Sequence, residues 1–142
     1  MTQTTASDRL KDRIILVTGA GEGVGRAVAL GAARQGATLI LSAEHEDSLD
    51  PVYDQIEAEG GAQPASLPLN LAKANKKLML GIATTLADEF GRLDGLVHTT
   101  TFIPYLSRID DYGDADWDKV LKINLTATLL LTQRCLPLLR MS

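Results

Sequence analysis

Several things are missing or scarce in this chain, and each absence removes a class of function. There is one cysteine in 142 residues, Cys135, so no internal disulfide can form. Set among leucines, its thiol reads as a small buried hydrophobe, with a reactive thiol the remoter alternative. No GxxxxGK[ST] occurs anywhere, which excludes a P-loop nucleotide site. No basic cluster offsets the net charge of −4, which argues against nucleic acid or an anionic membrane as principal partner. No apolar run approaches a membrane-spanning length, and the N-terminus MTQTTASDRLKDR has no apolar leader core, so a cytoplasmic protein is expected. There is no internal repeat and no low-complexity segment. At 45% hydrophobic and 23% charged, the composition is that of one ordinary globular domain, read as residues 10–142 behind a loose polar arm over residues 1–9.

What the chain does have is concentrated between Ile14 and Gly25, IILVTGAGEGVG. Ile14 to Val17 is the continuous aliphatic run of a strand covered on both faces, and Gly19 stops it. An alanine-rich helical pattern follows, so Gly19, Gly23 and Gly25 lie at a helix N-terminus, where unpaired N–H groups and the positive end of the dipole favour a pyrophosphate. The spacing is G-x-x-x-G-x-G. Gly19 would turn the chain, Gly23 would let the backbone approach phosphates, and Gly25 would let helix pack on strand. A tight strand-to-helix turn without a ligand is the competing reading.

The remaining pattern alternates. Ala37 to Ser42 reads as a second strand ending at Ala43 and Glu44. Glu44 lies 19 positions after Gly25, where a dinucleotide site places the carboxylate for the adenosine ribose. A helix over Ser48 to Glu59 is expected, with Asp50 as its cap and Pro51 at its first position. Ala65 to Leu69 reads as a third strand, at a sheet edge because of Pro68, closed by Asn70 and Leu71. Lys73 to Phe90 should be helical, with Leu78, Ile82, Leu86 and Phe90 facing inward and Gly91 ending it. Leu93 to His98 would be the fourth strand, Thr99 to Gly113 a long loop, and Asp114 to Arg140 one last helix. Trp117, Val120, Leu121, Leu125, Leu129 and Leu136 give that helix a broad apolar surface. This α/β alternation predicts a Rossmann-like, doubly wound parallel sheet of four strands in the order 3-2-1-4.

Three segments, TGAGEGVG at 18–25, LDGLVH at 93–98 and WDKVLKINLTATLLLTQRCLPLL at 117–139, resemble the N-terminal half of a short-chain dehydrogenase/reductase. The resemblance implies hydride transfer between a nicotinamide cofactor and an unknown carbonyl or alcohol. It implies that Gly19, Gly23, Val24 and Gly25 hold the cofactor pyrophosphate, that Asn70, with Leu71 beside it, reaches the adenine, and that Asn124 is the asparagine of an Asn-Ser-Tyr-Lys set. It also implies that the fourth strand is paired on its far side and the last helix covered. The chain departs from the pattern in two places. Thr99-Thr100-Thr101 stands where the family has N-A-G beside the nicotinamide ribose, which puts Thr99 among the cofactor residues. No Tyr-x-x-x-Lys exists, since Glu57, Ile109 and Asp116 follow Tyr53, Tyr105 and Tyr112 at the lysine position. The chain therefore reads as truncated and inactive alone, lacking a proton donor for the developing alkoxide. Asn124 reads equally well as a polar residue bonding helix backbone.

Glu22 inside the glycine turn and Glu44 after the second strand would both repel a 2′-phosphate, so of NAD and NADP the former is expected. The alternative to an oxidoreductase domain is a non-catalytic nucleotide-binding remnant or a self-association module, pairing as a homo-oligomer through the last helix. No metal site is expected. His98 is expected in or beside the core, His45 in a solvated loop, and Tyr105 and Tyr112 in loop packing.

Overall fold

The computed structural model describes residues 8–142, so the expected arm lies outside the described residues as far as residue 7. Four strands, β1 (Ile14–Thr18), β2 (Thr38–Ala43), β3 (Ala65–Pro68) and β4 (Gly95–Val97), form one sheet in the order β3-β2-β1-β4. All three pairings are parallel, with Leu16 opposite Ile40 on one side and Leu96 on the other. Successive strand residues point to opposite faces, and both faces are covered. Ile15, Val17, Leu39 and Leu41 pack beneath α1 (Gly23–Arg34) and α2 (Asp50–Ala58). Leu16 and Ile40 face the other way, into α3 (Lys76–Phe90) and α5 (Ala127–Leu139). This alternation is why the strands are aliphatic runs without polar interruption.

Several boundaries differ from those expected, each for a local reason. Asp50 is the first residue of α2, not its cap; a short 3₁₀ turn over Glu46–Ser48 takes up the chain before it, and Leu49, fully buried, holds the cap position. Helix α3 starts at Lys76 because the Asn75 carboxamide oxygen accepts the Leu78 amide at 2.7 Å. It ends at Gly91, whose φ of 75° is the left-handed cap foreseen there. Its inner stripe runs through Met79, Ile82, Ala83 and Leu86, so Leu78 lies partly in solvent and Met79 takes the buried place. β4 is only three residues long, and the single last helix is interrupted. Helix α4 (Asp114–Leu121) passes through a π turn over Lys122–Thr126 into α5.

The N-terminal ends of β1 and β4 are tied by Asp94, whose side chain is 4% exposed. One carboxylate oxygen accepts the Ile14 amide at 2.8 Å and the Arg92 guanidinium at 3.1 Å; the other lies 3.4 Å from Arg13. Burial by itself pushes this carboxyl's pKa up, but the amide and the two guanidinium groups outweigh it and hold the pKa below its ordinary value. A depressed folded-state pKa stabilises the fold above the unfolded pKa, so the contribution is complete above about pH 4 and is lost as acid protonates the folded carboxyl. Asp94→Ala is expected to cost roughly 2–3 kcal/mol, since it strands a buried amide and a guanidinium. Urea unfolding at neutral pH and at pH 3 checks this: the variant's deficit should shrink in acid, and an equal deficit at both would refute the account.

Candidate functional site

At the carboxyl ends of the strands the chain leaves β1 for α1 on one side of the sheet and β4 for the long loop on the other. The crevice between is a cleft of about 460 Å³. Thr18, Gly19 and Ser42 line it from the ends of β1 and β2, Glu44, His45 and Ser48 from the chain after β2, Asn70 and Leu71 from the chain after β3, and Thr100, Thr101, Phe102, Lys119 and Ile123 from the chain after β4.

The glycine turn is built by three different constraints. Gly19 has φ of 63°, open to a side chain only with strain. A Cβ on Gly25 would lie 1.9 Å from the Gly19 carbonyl oxygen and 2.4 Å from the Thr99 hydroxyl, so the start of α1 is pressed onto the end of β1. Gly23 also has positive φ, 53°, but among the described residues nothing lies within 4 Å of where its Cβ would stand. Crowding therefore dictates Gly25, and backbone conformation beside open space dictates Gly23. Glu22 is the cap residue of α1 and gives no side-chain hydrogen bond to it. Glu22 lines the cleft, whereas Val24 points to solvent and is 70% exposed.

Thr99 was expected among the cofactor residues, but its side chain faces the underside of the glycine turn and is not part of the cleft wall. Its hydroxyl donates to the Thr18 carbonyl at 2.6 Å, and its amide donates to the Thr18 hydroxyl at 3.2 Å. In the next peptide along, the Ala20 N–H donates to the Ser42 carbonyl at 3.0 Å. The turn is thus stitched to β4 on one side and β2 on the other.

Asn124 sits in the π turn and does not bond helix backbone with its side chain. Its carboxamide oxygen accepts the Phe102 amide at 2.8 Å, and its nitrogen donates to the Phe102 carbonyl at 2.7 Å. This pair of bonds fixes the amide's orientation and clamps the loop to the helix. Asn70 caps the following short turn, its oxygen accepting the Ala72 amide at 3.0 Å, while the residue lines the cleft. Glu44 does the same at the end of β2, largely exposed, with His45 Nε2 3.9 Å away.

His98, Tyr105 and Cys135 are not among the lining residues of the cleft. His98 Nε2 is 2.9 Å from the Thr132 hydroxyl, which itself donates to the Thr128 carbonyl, so the imidazole is the donor; burial lowers its pKa. Tyr105 stacks on Tyr112 with ring centroids 4.9 Å apart and donates to Asp116 at 2.8 Å. The Gly113 amide works to lower the Tyr105 pKa, but the Asp116 carboxylate prevails and leaves it raised, the wrong direction for a proton donor. Burial pushes the Cys135 thiol up to about 11, so it is no nucleophile at neutral pH. Lys119, Phe102 and Ser48 were not foreseen in the cleft.

Among the described residues no helix is long and apolar enough to cross a membrane, and no group of three potential ligands could hold a metal ion.

Comparison with known proteins agrees with this geometry. YciK, an uncharacterised oxidoreductase of Escherichia coli K12, is 39% identical over 132 residues, which cover 93% of this chain and 52% of YciK. A solved short chain dehydrogenase structure from Pseudomonas syringae superposes with a TM-score of 0.93 at 40% identity, over 96% of this chain and 56% of that one. One from Shigella flexneri, complexed with NADP, gives 0.92 at 38%, over 96% and 57%. The chain thus spans about half the length of the relatives it matches. The short chain dehydrogenase family matches residues 13–142, and the chain belongs to that family.

Proposed function

We propose that this chain is the dinucleotide-binding half of an oxidoreductase, holding a nicotinamide dinucleotide in the cleft above β1 and β4. The observation that carries the reading is the glycine turn. Gly23 opens onto empty space at a helix N-terminus, at the point where the order of the strands reverses, which is where open α/β sheets take their ligands. Gly19, Glu22 and Gly23 would cradle the pyrophosphate, with Gly25 and Thr99 holding the turn beneath. Glu44 would face the adenosine ribose, and Asn70 and Leu71 the adenine. The bound group would supply the hydride chemistry. This chain's own residues bind and orient it.

The solved relatives from S. flexneri and E. coli CFT073 carry NADP and NADPH at 38% identity, which supports the phosphorylated cofactor over the NAD expected from Glu22 and Glu44. Glu44 has His45 Nε2 at 3.9 Å and a side chain that is 57% exposed, so it can turn to solvent before a 2′-phosphate. Titration calorimetry with both cofactors tests this. NADP is expected to bind tighter than NAD, and Glu44→Gln to strengthen NADP binding roughly three- to tenfold by removing one like charge. Tighter NAD binding would overturn the preference, and no binding of either would overturn the reading.

A second reading, binding without turnover, is favoured by the lack of any Tyr-x-x-x-Lys and by an Asn124 amide already spent on Phe102. The 142-residue chain should bind cofactor and reduce no carbonyl, as followed by nicotinamide absorbance.

A further inference from the structure

We propose that Lys119 is an anion-binding residue of the cleft, held ready to pair with a phosphate of the dinucleotide; this rests on the reading above. The cleft is walled by two carboxylates, Glu22 and Glu44, and Lys119 is the one lysine or arginine among its lining residues. A ligand carrying two or more negative charges meets repulsion from these carboxylates, which the N-terminus of α1 offsets in part and a cation offsets further.

Lys119 is placed for that by its neighbours. Its ammonium lies over the Phe102 ring, 4.8 Å from the centroid, and the Phe102 backbone is clamped at both N–H and C=O by Asn124. Ile123, one turn along the same helix face and buried, anchors the helix against the cleft. The nearby carboxylate on its own helix face, Asp116, is engaged by the Tyr105 hydroxyl at 2.8 Å. Among the described residues Lys119 makes no ion pair within 4.0 Å, so its charge is held by an aromatic face and left unneutralised. An aromatic face steers an ammonium without cancelling its charge. Asn124, Phe102 and Lys119 thus form one positioning chain, which assigns a use to the asparagine that needs no tyrosine or lysine elsewhere.

The test is NADP and NAD titration of the full chain against Lys119→Gln, Lys119→Arg and Phe102→Leu, at low and at high salt. Lys119→Gln should weaken NADP binding roughly three- to tenfold at low salt and flatten the salt dependence of the affinity, because one screened ion pair is gone. Lys119→Arg should restore most of both, and Phe102→Leu should fall between. A loss shared by NAD and NADP assigns the pyrophosphate as the anion, and a loss confined to NADP assigns the 2′-phosphate; either supports the inference. Unchanged affinity and unchanged salt dependence in Lys119→Gln, with the wild-type chain binding normally, would overturn it and leave the dinucleotide reading intact. Failure of the wild-type chain to bind either cofactor would overturn both.

Discussion

Gly25→Ala is expected to abolish dinucleotide binding and to lower the stability of the fold by about 3 kcal/mol, which for a chain of this size is a fall in Tm of roughly 10 °C. The methyl group would enter 1.9 Å from the Gly19 carbonyl oxygen and 2.6 Å from its carbon, and both are backbone atoms that cannot rotate away. The first turn of α1 would have to retract from β1. That would loosen Ala29, Leu30 and Ala33, which the helix buries against the sheet, and break the Thr99 stitch below. Gly23→Ala separates folding from binding. Its methyl meets nothing, so its stability cost is the left-handed backbone alone, roughly 1–2 kcal/mol, while the same methyl occupies the space a phosphate would use. The two variants should therefore lose binding alike and differ in Tm. Normal binding by either would show that the turn does not hold a phosphate.

The parts of this architecture that could be read from sequence are those set by short-range rules. Ile14–Thr18 and Thr38–Ala43 are aliphatic because both faces are covered, and Pro68 puts β3 at an edge because it has no N–H for a further neighbour. Gly91 had to end α3. The order β3-β2-β1-β4 follows from alternation and crossover length. What could not be read depends on contacts remote in the chain. Met79 takes the buried place beside Ile82, Ala83 and Leu86 while Leu78 lies partly in solvent, because the buried face is set by how the whole helix seats on the sheet. The π turn at Lys122–Thr126 has no propensity signature. It inserts one residue and turns Asn124 toward Phe102, 22 positions away, so a residue read either as the asparagine of the family's set or as one bonding its own helix clamps a loop.

The candidate site divides in the same way. The glycine turn and Glu44 are local to one strand end each; Gly19, Glu22 and Glu44 line the cleft, whereas Gly23 and Gly25 are not among its lining residues. Thr99 was legible as a member of the site but not in its role. A threonine after a strand shows that a hydroxyl is present, not that it will reach under a turn 80 residues earlier to hold the Thr18 carbonyl. Phe102 lines the cleft from the loop 98–113 and Lys119 from α4 after it, and nothing in that loop's composition fixes its path.

The isolated chain is expected to self-associate through α4 and α5, and the reason is how little of that surface the sheet can cover. Ile123, Ala127, Leu131, Cys135 and Leu138, at helical spacing, take the inner stripe. Trp117 at 53%, Leu125 at 64% and Leu129 at 55% stay in solvent, with Leu121 and Leu136 beside them at 37%. Fully burying a leucine is worth roughly 1.5–3 kcal/mol, so a stripe of half-exposed ones amounts to several kcal/mol of unrealised burial. The segment 123–139 holds a single charged residue, Arg134, so two copies meeting face to face would bring together few like charges. That favours a second copy of this same chain as the cover. Beside it β4 is a terminal strand with no neighbour on its outer side among the described residues, and Gly95–Val97 contains no lysine or proline to guard it. Sedimentation equilibrium should find a dimer or larger species at micromolar concentration, and Leu125→Glu with Leu129→Glu should shift it to monomer without loss of helix. A monodisperse wild-type monomer at high micromolar concentration, with strong hydrogen-exchange protection in β4 and α5, would refute this, since it would mean that the exposed stripe needs no cover.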